Sequence, residues 1–338
     1  MSEAERFSRQ VRFGPIGEAG QRKLAAARVG VAGMGALGTV MADQLVRAGI
    51  GLLRIVDRDC VECSNLQRQT LFDEEDVRLN LPKAVAAERK LRRIRSNARI
   101  EPAVDDLNPS NVEAWIEGLD LVLDGLDNFE TRFVLNDACR KASVPWIYGA
   151  AVGSYGLVFP VLPDGPCLRC AMGSLPAAAS SPTCDTQGVI APITAVVGAL
   201  EVSFALRLLT GALAPEEARL ATLDVWTLRF QSVGIPADPA CPLCIGGRTE
   251  YLASRPLRTV TLCGRNAVQL IPGSRSDLDL ALLARSLEVY GPVQANEFLL
   301  RCSNPPYELT LFRDGRAIIG GTEEPSVARS VYSRMVGV

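Results

Sequence analysis

Residues Arg28–Gln69 read RVGVAGMGALGTVMADQLVRAGIGLLRIVDRDCVECSNLQRQ, and this stretch decides the fold. Arg28–Ala32 is a short β-branched run of the kind that buried parallel strands use. It leads straight into Gly33-Met-Gly35-Ala-Leu-Gly38, after which Val40, Met41, Leu45 and Val46 recur at helical spacing. A second apolar run, Leu52–Val56, ends on Asp57-Arg58-Asp59. Strand, glycine turn, helix, strand and acid together predict a nucleotide-binding unit. Gly33 permits a tight turn, Gly35 lets backbone approach a phosphate, and Gly38 lets the helix pack close to the strand. The helix N-terminus offers free N–H groups and a positive dipole end to the anion. Asp57 or Asp59 ends the second strand, where a ribose hydroxyl needs an acceptor. A glycine turn kept only for packing is the competing reading.

Such a turn often serves a nicotinamide dehydrogenase, but Ser64-Asn65-Leu66-Gln67-Arg68-Gln69 points elsewhere. A polar segment with an arginine directly after the ribose acid suits a triphosphate, because guanidinium complements phosphoryl charge. A solvated loop is the alternative.

Composition narrows the chemistry. The 338 residues fit one large or two ordinary domains, and 48% hydrophobic content is ample for a core. A net charge of −2 gives no reason to expect nucleic acid or an anionic membrane as partner. The basic run Arg89–Arg95 reads as a solvated helix face. The apolar stretch Gly188–Leu213 is interrupted by Pro192, Glu201 and Arg207 and reads as a buried helix, not a membrane span. The start at Met1 lacks a signal-peptide pattern, so a cytoplasmic protein is expected. There is no histidine, which removes the commonest general base and neutral metal ligand. Chemistry must run on carboxylates, Lys, Arg, Cys or bound metal.

Alternation of strands and helices continues beyond the opening unit. Helices are expected over Pro82–Ile94, Ser110–Ile116 and Phe129–Ala142, and strands over Arg99–Val104, Leu119–Asp124, Trp146–Ala150 and Tyr155–Leu162. Residues 1–27 are polar and read as helical, with Arg6, Arg9 and Arg12 on one face. They form either a solvated arm or a basic arm reaching a nucleotide. The expected class is α/β, a Rossmann-like, mostly parallel sheet with flanking helices and a structural zinc site. Residues 1–247 form this domain. Residues 251–338 read as a small α+β domain without catalytic spacing, in which Cys263 and Cys302 are ordinary buried cysteines.

Cys167-Leu-Arg-Cys170 and Cys241-Pro-Leu-Cys244 are two CxxC pairs. Four thiolates suit a closed tetrahedral zinc site that pins two distant loops; disulfides or free thiols are the alternatives. Cys184 lies between the Gly/Ser/Pro/Ala-rich stretch Gly173–Pro182, which reads as flexible, and a long apolar helix. A helix N-terminus favours its thiolate; a cysteine without a role is the other reading. Asp127 follows one strand and precedes a helix, as either an N-cap or a carboxylate placed to hold Mg²⁺. Lys83 is either a phosphate-binding charge or surface. Glycines, Arg68, Lys83 and Asp127 in one crevice suit nucleotidyl transfer. A carboxylate attacking the α-phosphate of ATP is already ionised and needs no general base.

At this point the chain strongly resembles the ThiF/MoeB/HesA family, bacterial relatives of the ubiquitin-activating enzymes. The resemblance spans about residues 5–247 and rests on RFSRQ (Arg6–Gln10), GMGALG, DRD, SNLQRQ, PKA at Lys83, LDGLDN ending at Asn128, CLRC, TCDTQGVIAP around Cys184, and CPLC. It implies MgATP-dependent adenylation of the C-terminal glycine of a small ubiquitin-like sulfur carrier ending in Gly-Gly, with release of pyrophosphate. Gly33, Gly35 and Ala36 would contact phosphates; Asp57, with Asp59, would bind the ribose or nucleotide. Ser64, Asn65, Arg68 and Lys83 would hold the triphosphate, and Asp127, beside Asn128, would hold Mg²⁺. Arg9 would reach the ATP of a partner subunit, which implies a homodimer. Cys167, Cys170, Cys241 and Cys244 match a structural Zn²⁺ site, and Cys184 the crossover-loop cysteine. Leu126 stands where threonine is frequent. No rhodanese-type cysteine loop follows residue 251, so sulfurtransferase activity is not expected. Thiamine, molybdopterin and other sulfur-carrier pathways remain open. Alternatives are adenylation of a small carboxylate, an NAD-dependent oxidoreductase and a non-catalytic scaffold.

Overall fold

The computed structural model describes residues 2–173, 187–253, 259–262, 266–271 and 277–336. The chain divides into two compact units, Met1–Ser254 and Arg255–Val338.

In the first unit the strands are β1 (Arg28–Ala32), β2 (Leu52–Val56), β3 (Arg99–Ala103), β4 (Leu121–Asp124), β5 (Trp146–Val152), β6 (Tyr155–Val161), β7 (Leu220–Asp224) and β8 (Arg229–Val233). They form one sheet in the order β3-β2-β1-β4-β5-β6-β7-β8. β3 to β5 run parallel, and β6, β7 and β8 each join antiparallel to the strand before. The register aligns Ala103, Val56, Ala32 and Asp124 in one row across β3, β2, β1 and β4. Everything that follows these residues therefore leaves the sheet at one edge. The chain order reverses between β1 and β4, which opens the crevice that ligands use in such sheets.

Two glycines set that crevice. Gly33 follows β1 with φ +92°, a backbone conformation that L side chains rarely adopt. Any Cβ on Gly33 would collide with the carbonyl oxygen of Gly125, the residue after β4, and a Cβ on Gly125 would lie 2.5 Å from the oxygen of Gly33. The two turns thus touch backbone to backbone. A Cβ on Gly38 would overlap the Gly33 oxygen, so the Ala36–Ala48 helix also sits hard against the turn.

Trp146, Phe133 and Phe159 are fully buried in the core around the sheet. The Ala191–Thr210 helix has a mean hydropathy of 1.7, long and apolar enough by those measures to cross a membrane. It packs instead against β5, β6 and the Ala36–Ala48 helix, with Gly198 meeting Val40 at a hypothetical Cβ distance of 3.0 Å.

The expected α/β architecture is observed, with local differences. The N-terminal segment is not one helix: Glu3–Arg6 and Ser8–Val11 are separate, joined at buried Phe7, before Gly17–Ala26. Arg6 and Arg9 therefore do not share a helix face, and Arg6 instead donates to the Ile94 carbonyl at 3.1 Å. Arg95, read as part of a solvated face, is buried and donates to the Ile50 carbonyl and to Glu3. Pro82 is the N-cap of Lys83–Ile94 rather than its first residue.

The second unit is a six-stranded antiparallel sheet. The helices Leu280–Leu287 and Pro325–Val336 contribute Leu287 and Val331 to a core with Val268, Leu300, Leu311 and Ile319. Cys302 is buried there as expected, and Cys263 lies outside the described residues.

Glycine-to-alanine in a helix ordinarily stabilises by about 1 kcal/mol. Gly38→Ala is expected to reverse that sign and lower the thermal midpoint, by about 2–4 °C for each kcal/mol of unrelieved overlap. Gly14→Ala, where a Cβ meets nothing within 4 Å, serves as the control. Equal midpoints for the two variants would refute the close approach.

Candidate active site

Gly35 is the N-cap of the Ala36–Ala48 helix and offers no side-chain acceptor, so the helix's first N–H groups face the crevice without a capping partner. Space lies open above it: a Cβ on Gly35 would have nothing nearer than the Gly125 oxygen at 3.8 Å and Gln69 Nε2 at 4.0 Å. A phosphate fits such a cradle. The Asp57 carboxylate braces the turn, its Oδ2 accepting from Met34 N and its Oδ1 from Asp59 N, each at 2.7 Å. Burial raises the Asp57 pKa, against the lowering pull of Lys83.

Lys83 is buried, which removes the surface reading. Its N–H donates to the Asp59 carbonyl at 2.9 Å, and its Nζ lies 3.2 Å from Asp59 Oδ2. Asn65 is also buried and accepts from Glu62 N at 3.1 Å, shaping the Cys63–Asn65 turn. Ser64 is exposed, and its carbonyl accepts from Arg68 Nη1 at 2.9 Å. Gln69, not singled out from sequence, is buried beside Gly35 with no hydrogen-bond partner for its Oε1 among the described residues.

The helix Phe129–Ala142 is capped by Asn128, whose Oδ1 accepts from Thr131 N at 2.8 Å. Asp127 is therefore not the cap. Its side chain is 64% exposed at the crevice edge, with Arg58 Nη2 3.9 Å from its Oδ1. Arg58 also reaches Asp106 at 3.1 Å and Asp59 at 3.8 Å, joining the ends of β2, β3 and β4. The turn bearing Asp127 is anchored from below. Arg132 Nε donates to Asp124 Oδ2 at 2.8 Å, and its Nη2 donates to the carbonyls of Leu126 at 2.7 Å and Gly149 at 2.9 Å. Asp124 Oδ1 accepts from Leu126 N at 2.8 Å. Both charges are buried. Sequence patterning does not reveal this pair, because Asp124 reads as the end of a strand and Arg132 as one more helix arginine.

The edge therefore gathers Gly33, Gly35, Ala36, Asp57, Asp59, Lys83, Asp127 and Asn128. Arg9 stays outside it: it is exposed and makes no ion pair with a site carboxylate among the described residues. Cys184 lies outside the described residues. The described residues resume at Gln187, and those that follow lie beside the site. Gly153 and Gly188–Ile190 exchange backbone hydrogen bonds of 2.8 and 3.0 Å, and Gln67 Nε2 reaches the Val189 carbonyl at 3.5 Å.

Cys167, Cys170, Cys241 and Cys244 bring four sulfurs within 4.8 Å of one another, at one end of the core. Two pairs of sulfurs are 3.3 and 3.6 Å apart. A tetrahedral ion with metal–sulfur bonds of about 2.3 Å needs sulfur spacings of about 3.8 Å, so this donor set can close around a metal. Asp238 N donates to Cys170 Sγ at 3.4 Å, as a thiolate ligand requires. Burial first, then the neighbouring thiols, pushes Cys167 up to about 11, the repulsion that a bound cation would relieve.

The ThiF family model matches residues 7–243. The sulfur carrier protein ThiS adenylyltransferase of Bacillus subtilis is 43% identical over 98% of this chain and 99% of its own length. The molybdopterin-synthase adenylyltransferase of Escherichia coli is 35% identical over 71% of this chain and 95% of its own length. Among solved structures, E. coli MccB with MccA-N7isoASN superposes with a TM-score of 0.62 at 22% identity, covering 72% of this chain and 75% of that one, a likeness of fold. The chain belongs to the ThiF family and is an adenylyltransferase of the ThiF/MoeB type.

Proposed function

We propose that this enzyme uses MgATP to adenylate the C-terminal glycine carboxylate of a small ubiquitin-like sulfur carrier ending in Gly-Gly, in the cytoplasm, releasing pyrophosphate. The observation that carries the reading is the crevice edge itself. It joins a phosphate cradle at Gly35 to an exposed Asp127 that has no capping duty. The carrier carboxylate attacks the α-phosphorus; a new oxygen–phosphorus bond forms and the α–β bridge breaks towards pyrophosphate. No proton moves in that step, so a site without histidine is sufficient. The Gly33–Ala36 backbone and helix N-terminus hold phosphate oxygens. Lys83 and Arg68 neutralise charge on the polyphosphate, Asn65 and Ser64 orient it, and Asp57 with Asp59 meets the ribose. Asp127, beside Asn128, would hold Mg²⁺, which supplies charge neutralisation for the departing pyrophosphate.

The B. subtilis relative runs the length of both units, whereas the molybdopterin-synthase adenylyltransferases cover 71% of the chain. This favours a ThiS-type carrier. A docking surface for it lies beyond β6, where the sheet ends on β8. Trp226 and Leu228, in the β7–β8 turn, and Phe230, on the edge strand β8, are 79%, 88% and 61% exposed there, and an edge strand can pair with another sheet. Arg9 is assigned to the nucleotide of a partner subunit in a homodimer. Cys184 is assigned to sulfur transfer on its place in the TCDTQGVIAP motif. The four cysteines hold a structural Zn²⁺.

Asp127→Ala is expected to lower carrier-dependent ATP–pyrophosphate exchange by about a thousandfold, the scale of one lost charge-stabilising group, with an unchanged thermal midpoint. Normal exchange would overturn the assignment. Leu228→Asp with Phe230→Asp is expected to raise the KM for carrier at least about tenfold, as loss of apolar anchors does, while leaving the KM for ATP unchanged; equal effects on both would remove the docking surface. Chelation is expected to release stoichiometric zinc and lower the thermal midpoint, with recovery on zinc addition. A protein that purifies without metal and ignores chelator contradicts the zinc assignment.

A further inference from the structure

The Ala191–Thr210 helix carries one acid into the interior of the first unit. Glu201 is fully buried, and neither of its oxygens has a hydrogen-bond partner of good geometry among the described residues. The backbone N–H of Asp124 is the nearest help. The carboxyl occupies a slot that exists because residue 149 is glycine: a Cβ there would overlap Glu201 Oε1 and lie 2.5 Å from its Cδ. That same Gly149 gives its carbonyl to Arg132 at 2.9 Å. Glu201 thus lies against the anchor of the Leu126–Asn128 turn.

The ionisable groups facing it are Asp124 from β4, Arg132 from the Phe129–Ala142 helix and Tyr148 from β5. One guanidinium cannot neutralise two buried carboxylates, and the Asp124 pair already has direct contact with it. Burial first, and then the Asp124 charge, pushes Glu201 well above the ordinary carboxyl range.

We propose that Glu201 is a positioning residue for adenylation, a neutral acid that fills the Gly149 slot and leaves Arg132 committed to Asp124 and the Leu126 carbonyl. Ionised, it would draw Arg132 away from the turn that bears Asp127. The functional half of this rests on the adenylation reading above; the protonation half does not.

The sign of the linkage follows. A buried acid that binds its proton more tightly when folded weakens the fold as pH rises from the ordinary carboxyl range through its folded pKa. The isosteric Glu201→Gln has no proton to lose. Its thermal midpoint is expected to exceed that of wild type by a margin that is small near pH ~5 and grows towards pH ~8. Wild-type exchange is expected to fall about tenfold per pH unit on an alkaline limb, as a single deprotonation requires, and Glu201→Gln is expected to lack that limb. A midpoint difference that is constant with pH, or superimposable exchange profiles, would overturn the proposal. Wild type that exchanges with no carrier would instead sink the adenylation reading, and the melting curves would still decide the state of Glu201.

Discussion

The backbone contact between Gly33 and Gly125 is the constraint on which the site depends. It joins the turns after β1 and β4 at the point where the chain order reverses. Because no side chain stands between them, the phosphate cradle and the Asp127 turn share one wall. The row Ala103, Val56, Ala32 and Asp124 then fixes the height of every loop at that edge. Functional groups from four separate segments converge because the parallel strands end level.

Much of this was legible in the sequence. The glycine turn, the acids after β2 and the CxxC pairs carry short-range signals whose chemistry is local. Phe129–Ala142 came out with its bounds intact, although the cap proved to be Asn128 and not Asp127, the other N-cap candidate. What stayed hidden was long-range. Arg132 serves Asp124, Leu126 and Gly149, a set that only the folded sheet brings together. Arg95 looked solvated within a basic helix, yet it closes the Ile50 carbonyl and Glu3. The N-terminal arginines failed as a helix face because burial of Phe7 breaks the helix, a packing effect that outweighs local spacing.

On β4, the first unit buries a charge, that of Asp124, at the underside of the site. Asp124 and Arg132 satisfy each other and the backbone of the Asp127 turn. A buried pair of this kind adds little net stability, since desolvation offsets most of the attraction. Its return is geometric: the Leu126 backbone is gripped through both its N–H and its carbonyl. A turn held in this way carries a largely exposed Asp127 carboxylate, whose Oδ1 accepts from Asn128 Nδ2 at 3.2 Å, at the crevice edge.

The charge balance of the crevice carries the last step. Asp57, Asp59, Asp106 and Asp127 stand against Arg58 and Lys83, and Lys83 is already engaged by Asp59. A polyphosphate brought into this edge meets more carboxylate than free cation. On the reading proposed above, a divalent ion beside Asp127 and an arginine from a partner subunit would add the positive charge that a polyphosphate needs there. The same balance explains how a chain without histidine can run this reaction. Adenylation of an ionised carboxylate moves charge, not protons, and on the proposed reading backbone N–H groups, fixed cations and one exposed acid would stabilise that movement without acid–base catalysis.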